Sequence, residues 1–146
     1  MKNAFTLIEI IFVIVIIGII SATAVLKLTN LKYNSKVITI INTTKSTAEQ
    51  ALESAQNRIY LEDNDTFKLN DLVSVKGKGW KYNASYKDGD YYYPNKAGNK
   101  SYAYVVLDTS NRQIIYRINC SVFENEKEQE ICERYNDDNS EQKINY

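Results

Sequence analysis

Glu9 is the side chain with the most chemistry to explain. It is the only ionisable residue between Lys2 and Lys27, and it sits inside Phe5-Thr-Leu-Ile-Glu-Ile-Ile-Phe-Val-Ile-Val-Ile-Ile-Gly18. A carboxylate at the centre of a bilayer costs about 3 kcal/mol, less near an interface, and such groups generally have a partner. An opposite charge offsets that cost, because the two buried together lose less than either alone. Glu9 is therefore expected to be functional. Other chemistry is sparse. The chain has no His, which removes the commonest general base and metal ligand and every His-dependent triad. Lys76-Gly-Lys-Gly-Trp80 lacks the spacing of a phosphate-binding loop. No catalytic residue, metal set or cofactor is assigned, and an enzyme is not expected.

The element that must carry Glu9 is a membrane helix. From Phe5 to Leu26 the run is about as long as the roughly 20 residues a helix needs to cross a bilayer. A secretory signal has its small-residue cleavage site after the apolar core. Here the small residue Ala4 precedes the core, so a cut would fall before it. Gly18 is the weak point of the span, less favourable in a helix than Ala by about 1 kcal/mol.

Ala4-Phe5-Thr6-Leu7-Ile8-Glu9, followed by the apolar run with Gly18, resembles the class III leader of type IV pilins and type II secretion pseudopilins. The resemblance is confined to the N-terminal segment. It implies that an aspartic prepilin peptidase cuts between Ala4 and Phe5 and methylates the new amine of Phe5, so that residues 1–4 are a leader. It also implies that Glu9 of one subunit neutralises the Phe5 amine of its neighbour, which favours extraction into a filament and sets axial register. An ordinary signal anchor is the alternative. Two positions depart from the family habit: Ala4 stands where Gly is usual, and Leu26 where many members have Pro. Without a Pro to remove a hydrogen bond, the helix is expected to pass position 26 without a kink.

The fold class expected is α+β: one long N-terminal helix from about Phe5 to Tyr60, its lower half transmembrane, packed on a small antiparallel sheet in a pilin-like arrangement. Residues 5–28 form the transmembrane segment, 29–60 the continuation of the helix, and 61–146 the globular part with a disulfide loop. Ile38, Ile41, Ala48, Leu52, Ala55 and Ile59 recur at helical spacing and are expected to line its buried face. Between Thr39 and Thr47 many β-branched residues weaken intrinsic propensity, so packing must hold that stretch. Glu62-Asp-Asn-Asp65 should end the helix, and a short turn or helix is expected at Leu69 to Leu72. Trp80 to Tyr86 alternates aromatic and polar residues, and Asp88-Gly-Asp90 reads as a turn. Ser101 to Leu107 and Gln113 to Asn119 form the clearest hairpin, within a sheet of three or four strands. The helix must cover that sheet, because a hairpin alone buries too little to be stable.

The remaining features are weaker. Twelve tyrosines, among them Tyr91-Tyr-Tyr93, offer large contact area with a polar tip, yet half of them could simply fill a small core. Cys120 and Cys132 are the only cysteines. Outside the inner membrane they are expected to pair, as the resemblance also suggests, two free thiols being the alternative. Asp137, Asp138 and Glu141 are weak calcium candidates, in what otherwise reads as a solvated, mobile acidic tail. Asn64, in Glu62-Asp-Asn-Asp-Thr66, is a weak candidate for bacterial N-glycosylation.

Charge is balanced overall, 18 basic against 18 acidic residues, which gives no general case for a nucleic-acid partner. Locally it is uneven. Residues 68–117 carry a net +5 and residues 119–146 a net −5, a pattern that suits either subunit contacts or a solvated surface.

Taken together, the sequence leads to a structural subunit of a type IV filament-like assembly, a pseudopilin of type II secretion or DNA uptake. A major or minor type IV pilus subunit is the close alternative. A membrane-anchored DNA-binding receptor using Lys68 to Arg117 is the rival from another class. The partners implied are the prepilin peptidase, other pilin or pseudopilin subunits, an inner-membrane assembly platform and the lipid bilayer. The location implied is the inner membrane, single-pass, with the C-terminal domain in the periplasm.

Overall fold

In the computed structural model, which describes residues 6–136 and 138–146, a 56-residue helix, α1 (Leu7–Glu62), is followed by a short helix, α2 (Leu69–Leu72). Then come strands β1 (Lys81–Asn83), β2 (Asp90–Pro94), β3 (Ser101–Asp108) and β4 (Gln113–Ile118). A single 3-10 turn at Cys120–Val122 leads to α3 (Glu126–Tyr135), and β5 (Gln142–Asn145) completes the chain. The residues divide into two compact units, one ending at Ser35 and the other spanning Lys36–Tyr146.

In the first unit α1 runs unbroken through position 26. Its large apolar side chains, from Leu7 and Ile8 through Val25, Leu28 and Leu31, are exposed.

In the second unit the later turns of α1 bury Val37, Ile40, Ile41, Thr44, Thr47, Ala48, Ala51 and Ala55. This is the period expected, with its centre moved. Ile41, Ala48 and Ala55 are buried as the spacing predicts, but Ile38, Leu52 and Ile59 are only half-buried. The apolar stretch Val37 to Ile41 fits more than one face, and Thr44 lies on the true one. Burial of its hydroxyl is tolerated because Oγ1 donates to the Ile40 carbonyl at 2.7 Å, satisfying a group that would otherwise be costly. The small Ala48, Ala51 and Ala55 then pack in one core with Phe67, Leu69, Val73, Tyr91, Val105, Leu107 and Ile114.

The helix ends where the acidic turn predicts. Asp63 takes a left-handed φ of 50° and the Asn64 amide donates to the Arg58 carbonyl at 3.1 Å, which satisfies one of the last orphan carbonyls. Likewise α2 forms at Leu69 to Leu72, with Leu69 fully buried.

The sheet is a meander of order β1-β2-β3-β4-β5, every neighbouring pair antiparallel. It has five strands, not three or four. The hairpin of β3 and β4 is as expected, with Val105 opposite Tyr116 and Leu107 opposite Ile114. Gly89 makes the turn into β2 with φ 107°, and a Cβ there would lie 2.5 Å from the Tyr82 hydroxyl, so only Gly fits.

Three elements were not assigned from the sequence. Tyr91-Tyr-Tyr93 lies within β2, where alternation sends Tyr91 inward and its hydroxyl donates to the Val73 carbonyl at 3.2 Å. The acidic tail is not mobile throughout, since Gln142 to Asn145 pairs with β4 as an edge strand. Finally, α3 forms inside the cysteine loop, its first turn capped by Asn125, whose side chain accepts from the Lys127 amide at 2.9 Å. Asn followed by Glu126 and Glu128 is a helix-start pattern that the low apolar content of this stretch obscured.

Candidate assembly site at the start of the apolar helix

Helix α1 opens on a reciprocal cap. The Thr6 amide and Oγ1 donate to Glu9 Oε2 at 2.8 and 2.7 Å, and the Glu9 amide faces Thr6 Oγ1 at 3.4 Å. Thr-x-x-Glu is the capping-box pattern, in which two side chains satisfy the orphan donors of a first helical turn. Glu9 therefore has an intramolecular partner. The Thr-x-x-Glu spacing carries this cap in the sequence itself, where the uncompensated charge of Glu9 overshadows it. Ala4 and Phe5 lie outside the described residues, so the cleavage and methylation assignments rest on sequence.

Behind this cap the helix presents an 18-residue stretch of mean hydropathy 2.8 with none of it buried, long and apolar enough to cross a membrane. Within the span the Thr23 hydroxyl donates to the Ile20 carbonyl at 2.9 Å, so that polar group needs no water. The combination is a carboxylate held at the head of an uncovered apolar helix.

Residues 1–25 match the family described as the prokaryotic N-terminal methylation motif. The chain begins with a class III prepilin-type signal. No curated protein and no solved structure matches the chain. The prepilin-type signal supports a type IV pilin-like subunit, and with it a structural rather than a catalytic role. It implies processing by prepilin peptidase and assembly with other pilin subunits, and with the apolar helix it fits membrane anchoring. The long helix packed on an antiparallel sheet is the pilin-like α+β architecture.

The other residues singled out in the sequence are dispersed. Cys120 and Cys132 are joined, with Cα atoms 5.4 Å apart, and their bond closes the loop that holds α3. Asp138 is spent on local bonds, its oxygens accepting from the Ser140 amide at 2.7 Å and the Gln142 side chain at 2.6 Å, which together hold its carboxyl below the usual range. Glu141 accepts from the Tyr104 hydroxyl at 2.8 Å and lies 3.8 Å from Lys143. Asp137 lies outside the described residues. No group of three or more Asp, Glu, His or Cys suited to a metal occurs among the described residues. Asn64 stands in the turn after α1, where its side-chain oxygen accepts from the Thr66 amide at 2.9 Å.

Proposed function

We propose that this chain is a pseudopilin-type subunit of a type II secretion or DNA-uptake apparatus. It is cleaved between Ala4 and Phe5, methylated on Phe5, and polymerised through its apolar helix. The observation that carries this reading is the prepilin-type signal on a helix whose first turn fixes Glu9 at the head of an exposed apolar span. Assembly buries that span against other subunits and brings the Phe5 amine of one chain to Glu9 of the next. A cation there is favoured because the acid otherwise faces lipid with only Thr6 beside it. By resemblance, the small sheet and single short disulfide loop suit a pseudopilin; a pilus subunit is the second reading on the same helix.

Orientation follows from weighing two effects. Lys27 and Lys32 follow the span, and a basic flank by itself favours the cytoplasmic side. The disulfide supports the opposite side, since such bonds persist in oxidising compartments and not in the cytosol. On this reading the domain from Lys36 onward faces the periplasm, with the inner membrane holding the helix before assembly.

Intact mass and N-terminal sequence of the protein from its own host membranes test the reading. A chain starting at N-methylated Phe5 is expected. A chain that keeps Met1 would leave an ordinary anchor and sink the assembly mechanism.

A further inference from the structure

Side chains alternate across a strand, so the sheet has a second face, turned away from the core that Tyr91, Val105 and Leu107 form with α1. On that second face Asn83, Asp90 and Val106 stand opposite one another across β1, β2 and β3, and Tyr92 stands opposite Tyr104 in the next row. With Tyr86 and Ser101 they line an open cavity of about 370 Å³. Asp90 is only 9% exposed, and its Oδ1 is buried with no hydrogen-bond donor among the described residues.

Buried acceptors without partners are rare and call for an explanation. The bases on this face do not supply one. Lys81 stands opposite Tyr92, Arg117 opposite Tyr104, and Lys143 opposite Ile115. None of the three lines the cavity, while Arg117 donates to the Asn139 carbonyl and Lys143 lies near Glu141. Burial raises the Asp90 carboxyl above its ordinary value, a hydrogen bond from the Asn83 side chain opposing it in part. Burial, with the Glu141 carboxylate as acceptor, pushes the Tyr104 hydroxyl up to about 12, the Arg117 guanidinium beside it opposing in part, so that ring stays neutral.

We infer that this cavity binds a primary ammonium group, carried either by a free alkylamine or by a lysine side chain. One under-satisfied carboxylate supplies the charge, and the phenol rings of Tyr86, Tyr92 and Tyr104 supply the π faces that attract a cation. Ser101 and the tyrosine hydroxyls supply further acceptors for its three N–H donors. A guanidinium fits less well, because its planar fork calls for two parallel contacts to one carboxylate, and the Asn83 side chain already hydrogen-bonds this one. Calcium fits less well again, because it takes six to eight oxygens, most often from several carboxylates, and the lining has one. The inference is independent of the filament reading, since it rests on the sheet alone.

The test is calorimetric titration of the full chain in detergent micelles with n-butylammonium and, separately, with Nα-acetyl-lysine methylamide, n-butanol serving as the uncharged control. Saturable binding of the ammonium probes and none of butanol is expected. In Asp90→Asn the affinity should fall by about tenfold or more, with an unfolding midpoint no lower than wild type because a neutral amide is easier to bury. Tyr92→Leu, which removes a wall, should weaken binding severalfold. Tighter binding of the lysine derivative assigns the site to a protein side chain, and tighter binding of butylammonium assigns it to a free amine. No saturable binding of either probe, or unchanged affinity in a folded Asp90→Asn protein, overturns the inference.

Discussion

Lys36 Nζ lies 2.9 Å from each carboxylate oxygen of Glu128, a residue 92 positions further along the chain. The same ammonium sits 4.9 Å from the Tyr102 ring centre and 5.6 Å from that of Phe123. One side chain thus ties α1 to α3 and to the aromatic pair beside the cysteine loop. The two partners differ in exposure, 30% for the Lys36 side chain and 7% for that of Glu128.

That asymmetry makes the two truncations unequal. Lys36→Ala leaves a buried carboxylate unpaired and should cost about 3 kcal/mol. Glu128→Ala leaves a cation that keeps its aromatic contacts and partial access to water, and should cost about 1–2 kcal/mol. Urea unfolding of the full chain in detergent, followed by the fluorescence of Trp80, the single tryptophan, measures both. Equal losses would show that burial of Glu128 carries no extra weight.

Reduction of Cys120–Cys132 should lower stability by about 3 kcal/mol in the chain-entropy picture. The loss should centre on α3, so a fall in helical circular dichroism smaller than global unfolding would accompany it at moderate urea. If oxidised and reduced chains share one midpoint, the loop is already ordered without its bond.

Glu9→Ala should leave cleavage before Phe5 intact and abolish assembly, measured as the ladder of crosslinked subunits in host membranes. Thr6→Val, which removes the hydroxyl of the cap, should destabilise the first helical turn by about 1 kcal/mol. It should reduce the ladder less than Glu9→Ala. Normal ladders from Glu9→Ala would separate the acid from assembly altogether.

A pH dependence is expected from Asp108, which Lys87 Nζ approaches at 2.5 Å and the Asn111 side chain at 2.9 Å. Lys87 first, then Asn111, hold the Asp108 carboxyl below its ordinary value of 3.8. Its contribution is therefore present above that value and lost as pH falls through the lower folded one. On the alkaline side Lys87 is raised, mainly by Asp108, so its share is complete below 10.5 and is lost only above that. Asp108→Asn should cost about 1–3 kcal/mol near neutrality. The two unfolding midpoints should converge well below pH 3.8. A gap that stays constant on acidification would assign the loss to packing instead.

What the sequence made legible follows from the range over which its signals act. The prepilin-type signal, the α1 period, the α2 turn and the β3–β4 hairpin are encoded by residues close together, and each is found. The face of α1 was displaced because Thr44 is polar by type yet satisfied by its own helix. β5 was overlooked because Ile144 is its single apolar residue, and only its place against β4 makes it a strand. Asp90 offered no signal at all. It reads as a turn acid beside Gly89, and its lack of a donor exists only once β1 and β3 close on either side of it.

The bond between Cys120 and Cys132 also bears on the speed of folding. From the end of β4 at Ile118 to the start of β5 at Gln142 the backbone spans roughly two dozen residues, and the sulfur bridge cuts that path to about half. Closing a loop of half the length saves about 0.6 kcal/mol of entropy. The rest of the meander joins strands through near neighbours, the kind of connectivity that folds quickly. An oxidase acting before the last strand docks would therefore shorten the longest search in the sheet, and a reducing compartment would leave β5 as its slowest strand to arrive.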